Sequence, residues 1–230
     1  MKIPFIVILL LVSLGINAQG DIFSRIEAEE NRLEIEVNES RETTYQSLSE
    51  VISTGIKVTK LFFLNVPEGY QTDTLFRFPD LRYLGVFASS SDNLVHTVCQ
   101  LDKLDSLRLS FTRMGKPYDL RCLGNLDSLK FLSVDEHEAR LPYPILLPSE
   151  FPALETLILA DANPRLPQKA DKLSLIRILY GNFESFPEEI FNYKSLKWLF
   201  FINFREVVPP TDEELKKHLP KLEHWRIERW

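Results

Sequence analysis

Side chains able to do chemistry are few in this chain, and they are scattered. Its four histidines, His96, His137, His218 and His224, show no spacing that would gather a metal ion. His137 sits in Asp135-Glu136-His137-Glu138, which supplies ligand types without a second half nearby, so the stretch reads as a solvated acidic loop. The sequence contains no Gly-rich phosphate loop, no Gly-x-Ser-x-Gly and no His-Glu-x-x-His, and neither a metal nor a cofactor is expected. Two kinds of chemistry remain. Cys99 and Cys122 either join in a disulfide or stay as two separately buried thiols. A set of aromatic, apolar and charged residues supplies the types that dominate binding hot spots.

What positions that set is an apolar triplet that returns every 21 to 26 residues. Its members are Val58/Leu61/Phe63, Leu81/Leu84/Val86, Leu104/Leu107/Leu109, Leu129/Leu132/Val134, Leu154/Leu157/Leu159, Leu175/Ile178/Tyr180, Leu196/Leu199/Phe201 and Leu222/Trp225/Ile227. A fixed period in this range marks stacked supersecondary units, each burying its apolar side against its neighbours. Apolar and polar residues alternate within each triplet, which predicts a short strand, with successive strands pairing in parallel.

If the triplet points inward, the residues between and beside its members point the other way. Those chosen as the candidate binding face are Phe62, Leu64, Tyr83, Phe87, Arg108, Phe131, Asp135, Arg177, Trp198, Phe200 and Ile202. Two regions are apolar: Trp198, Phe200 and Ile202 on one strand, and Phe62, Leu64, Tyr83 and Phe87 on two others. The competing reading has these aromatics covered by the N-terminal segment, by long loops or by a second copy of the chain. Full burial of Trp198 and Phe200 within the chain would refute the binding reading.

The 230 residues and 44% apolar content suffice for a buried core. Lys2, the apolar run from Ile3 to Leu14 and the small residue Ala18 read as a secretory signal peptide over residues 1–18, cleaved after Ala18. The mature chain is then expected to be secreted or periplasmic, without a membrane span. Losing Lys2 moves the net charge from -6 to -7, and so mildly acidic a chain is a poor nucleic-acid binder. In an oxidising compartment the cysteines can pair. They share one offset from the starts of their own repeats, but differ by two positions counted back from the next.

Residues 19–55 differ in composition, with seven Glu between Glu27 and Glu42. Leu33, Ile35 and Val37 suit a strand there, whereas Ile22, Ile26, Leu33 and Val37 suit a helix, and both readings stay open. Tyr45, Leu48 and Ile52, followed by Gly55, predict a short helix capping the first repeat. Irregular or helical segments should return the chain between strands, with extra loop at Ala88 to Leu104 and at Val134 to Leu154. Thr211-Asp212-Glu213-Glu214 reads as a capping box opening a last helix backed by Leu215 and Leu219, and Trp230 is placed to blunt the final edge.

The triplets, with Phe186-Pro187-Glu188-Glu189-Ile190 followed by Leu196-Lys197-Trp198-Leu199-Phe200-Phe201, resemble the leucine-rich repeat family over residues 56–230. The helix leading into Val58-Thr59-Lys60-Leu61 is similar to the entry of secreted bacterial members. The resemblance implies an α/β repeat fold, a horseshoe solenoid of about eight repeats. It would have a parallel concave sheet, an irregular or helical convex side, a short N-terminal capping helix and, usually, a macromolecular ligand on the concave side. The sequence departs from the family where an Asn or Cys is usual, with Val66, Ser89, Thr112, His137, Ala162, Phe183 and Phe204 at those positions; Asn65, Asn182 and Asn203 lie one residue earlier.

The expected function is therefore a secreted, non-enzymatic module that binds a protein through its concave face. A carbohydrate or cell-envelope binder, with Trp198, Phe200, Tyr83 and Phe87 as stacking platforms, is the alternative. An enzyme is the third reading, and no recognisable constellation supports it.

Overall fold

Alternation within each triplet fixes the strands, and the strands fix everything else. The structure is a computed structural model that describes residues 57–64, 72–89, 92–112, 118–137, 144–160, 163–181, 183–203 and 207–229, all of which fall in the unit Tyr45–Trp230. The fold is mixed α/β, built on an eight-stranded parallel sheet with few helices. Its strands, in spatial order, are β1 (Lys60–Leu64), β2 (Tyr83–Ser89), β3 (Ser106–Thr112), β5 (Phe131–His137), β7 (Thr156–Ala160), β9 (Leu175–Gly181), β10 (Trp198–Asn203) and β11 (His224–Arg229). Across the core, β4 (Tyr118–Asp119), β6 (Pro144–Leu146) and β8 (Asn163–Arg165) form a second, three-stranded parallel sheet. The other returns carry α1 (Asp92–Val98), α2 (Asp212–His218) and 3-10 turns at Thr72–Arg77, Arg121–Asn125 and Glu188–Asn192. The middle returns are thus extended and paired, where irregular or helical segments were expected. Among the described residues no helix is long and apolar enough to cross a membrane.

Inward residues recur every third position before each strand. Leu120, Leu123, Leu126 and Leu129 are linked by successive N–H to carbonyl bonds of 3.0 to 3.1 Å, each donor bonding three residues back. The chain then enters β5 with Leu132 and Val134 fully buried. The equivalent pairs Leu84/Val86, Leu107/Leu109, Leu157/Leu159, Ile176/Ile178 and Leu199/Phe201 are all at most 1% exposed, each side chain contributing about 1.5–3 kcal/mol by burial. One expected triplet is corrected. Leu157 pairs with Ile176 and Leu159 with Ile178, so the sixth triplet is Leu173/Ile176/Ile178 and not Leu175/Ile178/Tyr180. Leu175 belongs to the outer face, and Tyr180 is an extra residue at φ 56° where the pairing with β10 shifts register.

Of the asparagines Asn65, Asn182 and Asn203, only the last lies among the described residues, and it bonds neighbouring backbone. Asn203, fully buried, donates from Nδ2 to the Phe183 carbonyl at 3.1 Å and accepts from its N–H at 3.4 Å. Tyr193 ties two returns together by donating to the Pro167 carbonyl at 2.5 Å, and burial pushes its phenol far above the usual range. Thr211 caps α2 with the reciprocal box: Glu214 N–H donates to Thr211 Oγ1 at 3.2 Å and Thr211 N–H to Glu214 Oε2 at 2.9 Å.

In the eight-stranded sheet, the residue just before each strand from β1 to β10 offers one carbonyl to two N–H groups of the next repeat, as Arg82 does to Asp105 and Ser106. Side chains at these positions alternate in sign. Arg82 meets Asp105 at 3.7 Å, Lys130 meets Glu155 at 3.9 Å, and, beyond the neutral Ser174, Lys197 meets Glu223 at 3.2 Å. Two residues earlier, Asp80 bridges Lys103 at 2.9 Å and Lys57 at 3.3 Å.

The expected signal peptide, the acidic segment, the expected capping helix at Tyr45 to Ile52 and Trp230 lie outside the described residues.

Candidate functional site

Parallel pairing in register converts the outward residues of eight strands into three rows. The first runs Lys60, Tyr83, Ser106, Phe131, Thr156, Leu175, Trp198, His224, and the second Phe62, Gly85, Arg108, Ser133, Ile158, Arg177, Phe200, Arg226. The third contains Asp135, Ala160, Leu179, Ile202 and Glu228 in order. Leu64 and Phe87 pair with each other at one end of this face, and their side chains lie outside the described residues.

The two expected apolar regions are separate. Five strand steps divide β2 from β10, about 24 Å at the usual spacing. Between them the face is polar to mixed, with Arg108, Ser133, Asp135 and the half-buried Phe131.

At the β1–β2 end, Gly85 decides the geometry. A methyl group there would sit 2.7 Å from Phe62 Cδ2 and 3.2 Å from the Tyr83 hydroxyl, so both rings occupy the space its missing side chain leaves. Tyr83 is consequently buried, at 6% exposed. This corrects its expected role as an open anchor, whereas Phe62 stays half-buried.

At the β9–β10 end, Leu175, Arg177 and Leu179 stand directly opposite Trp198, Phe200 and Ile202. Phe200, in register between Arg177 and Arg226, is only 7% exposed, so it is no open platform. Trp198, Ile202, Leu175 and Leu179 around it are half-buried. Burial of Phe200 without Trp198 meets only half of the condition set for refuting the binding reading. Trp198 also meets the His224 ring edge-on, centroids 5.9 Å apart, and Arg226 pairs with Glu228 at 2.5 Å. The result is four accessible apolar side chains around a covered ring, with guanidiniums on both flanks.

Sequence reasoning assigned Leu175 to the core and so missed it. The regular three-residue step from Ala170 to Leu173 to Ile176 is the signal that would have placed it outside.

On the return side, Cys99, following α1, and Cys122, in the Arg121–Asn125 turn, are joined in a disulfide with Cα atoms 5.6 Å apart. Asp119, beside that turn, accepts from Arg121 at 2.6 Å and 2.8 Å, and the guanidinium holds its carboxyl below the usual range. Among the described residues no three His, Cys, Asp or Glu side chains gather as a metal ion would require.

No protein-family model matches this chain, and no curated protein matches it either.

Proposed function

We propose that the chain is a secreted, non-enzymatic binding module of the leucine-rich repeat type, a horseshoe solenoid whose outer sheet face is its concave side and engages a protein partner. The observation that carries the reading is the β9–β10 block. Trp198, Ile202, Leu175 and Leu179 stay partly open to solvent on a rigid parallel sheet, beside Arg177. An apolar anchor on rigid backbone, rimmed by guanidinium, is the composition of an interface centre, and a partner presenting an apolar side chain next to a carboxylate would complement it. Phe62, Arg108, Phe131 and Asp135 extend the face toward β1 as surrounding contacts. A carbohydrate ligand is the weaker reading, because Phe200 and Tyr83, two of its four stacking platforms, are nearly covered.

The test is affinity capture from the organism's secreted and envelope fractions, with native protein beside a Trp198→Ser/Ile202→Ser variant shown by circular dichroism to be folded. A protein held by the native chain and lost from the variant supports the reading. A glycan lost in the same way replaces it with the carbohydrate reading, and identical profiles refute both.

A further inference from the structure

β11 closes one end of the sheet's strand order. Among the described residues β11 bonds to β10 alone, so its other edge has no strand beside it. Its core side is correspondingly incomplete. Leu196, Leu199 and Phe201 of the preceding repeat are fully buried, whereas Leu222, Trp225 and Ile227 are only partly buried against the core. The Trp225 indole donates to Asp212 at 3.0 Å and lies under Lys216, so α2 covers part of this surface.

The ladder determines which backbone groups face outward. His224 donates its N–H to the Lys197 carbonyl at 3.0 Å, and residues along a parallel strand direct their polar groups alternately to one side and the other. His224, Arg226 and Glu228 therefore address β10, and the backbones of Trp225, Ile227 and Arg229 address the open side. Charge then selects among the registers of an antiparallel pair. A two-fold axis through Ile227 sets residue 227 against its own copy and Arg226 against Glu228, once on each side of the axis. An axis through Arg226 would oppose two guanidiniums. The Arg226–Glu228 pair within the strand, 2.5 Å apart, is thus self-complementary across such an edge.

We propose that β11 is a homodimer interface, in which two copies pair β11 to β11 antiparallel about Ile227. The sheet continues from one copy into the other and the half-open Leu222, Trp225 and Ile227 surfaces are covered. The axis is normal to the sheet, so the outer faces of both copies stay on one side. The dimer does not depend on what that face binds.

The experiment is sedimentation of the full chain over a range of roughly 0.1 to 100 µM, where a dimer reveals itself by concentration dependence. Arg226→Glu and Glu228→Arg should each weaken association by about tenfold or more, since each converts two attractive cross-strand pairs into two repulsive ones. The double exchange restores both pairs and should recover the wild-type value. A positive control is independent of charge. In the proposed register the residue-227 Cα atoms lie about 5.5 Å apart, inside disulfide reach, so Ile227→Cys should oxidise to a covalent dimer. A monomer throughout the range overturns the proposal. So does a dimer indifferent to the single reversals, a double exchange no tighter than the singles, or an Ile227→Cys chain that does not cross-link.

Discussion

Reducing the Cys99–Cys122 bond should cost this protein a measurable share of its stability, and the size follows from the loop it closes. The two residues are 23 apart in sequence, with Cα atoms at 5.6 Å, inside the ordinary range, so the folded backbone need not move when the bond is cut. The main loss is then the constraint on the unfolded chain. The loop-closure relation gives about 3.4 kcal/mol for this length, most of it from the logarithm of loop size. With a urea dependence of about 2 kcal/mol per molar, the unfolding midpoint should fall by about 1.7 M on reduction. The assay is urea unfolding followed by fluorescence, with and without a phosphine reductant, alongside thiol titration. Cys99→Ser/Cys122→Ser should match the reduced protein and ignore the reductant. Amide exchange should accelerate first in α1 and in the turn holding Cys122, the elements the bond joins. A midpoint shift below about 0.3 M with both thiols free would refute the reasoning, since the unfolded chain would then gain almost no freedom from losing the link.

Gly85→Val should destabilise the fold by about 1–3 kcal/mol in urea melts, because its side chain claims the space of the Phe62 and Tyr83 rings; adding Phe62→Ala should recover part of that loss, and strict additivity would contradict the packing account. Asn203→Leu should cost about 2–3 kcal/mol by stranding the N–H and carbonyl of Phe183, and a change under about 0.5 kcal/mol would show that these groups find other partners. Stability should also fall in acid. Glu214 is held below its ordinary 4.5 first by the Thr211 N–H and then by the Thr211 hydroxyl, and Asp80 below 3.8 first by Lys103 and then by Lys57. Depressed folded-state values mean that both contributions are present above the unfolded pKa and vanish as pH drops through the folded one. The melting temperature should therefore decrease from pH 6 to pH 3, and Glu214→Gln/Asp80→Asn should shrink that decrease; an unchanged decrease would place its origin elsewhere.

Strand existence and facing were legible in the sequence because period two and the three-residue step are local signals, and Leu107/Leu109 or Leu132/Val134 fit only one frame. The sixth repeat fits two. In Leu173-Ser174-Leu175-Ile176-Arg177-Ile178-Leu179-Tyr180 the same spacing matches starts at 173 and 175. Pairing with β7 decides between them, and that is a tertiary fact. The outer face was legible in membership but not in depth. Alternation says that Tyr83 and Phe200 leave the core, but whether they reach solvent depends on what surrounds them: for Tyr83 the space left by Gly85 two residues on, shared with Phe62 of β1, and for Phe200 the two arginines in register on the flanking strands. The paired returns at β4, β6 and β8 escaped notice because strands of two or three residues carry too little periodicity to detect.

The alternating charges before each strand bear on how long such a protein can become. Suppose one repeat were excised, the one entered at Asp105. Arg82 would then abut Lys130, replacing the Arg82–Asp105 attraction with a repulsion, each worth about 0.2–1 kcal/mol at an exposed edge. Excising two consecutive repeats instead brings Arg82 against Glu155, and the alternation survives intact. Neutral Thr59 and Ser174 bound the run from Arg82 to Glu155, so losing the single repeat next to either, at Arg82 or Glu155, sets no like charges side by side. Inside that run the array has a parity: losing the Asp105 and Lys130 repeats together keeps the surface self-consistent, and losing either alone leaves an electrostatic scar.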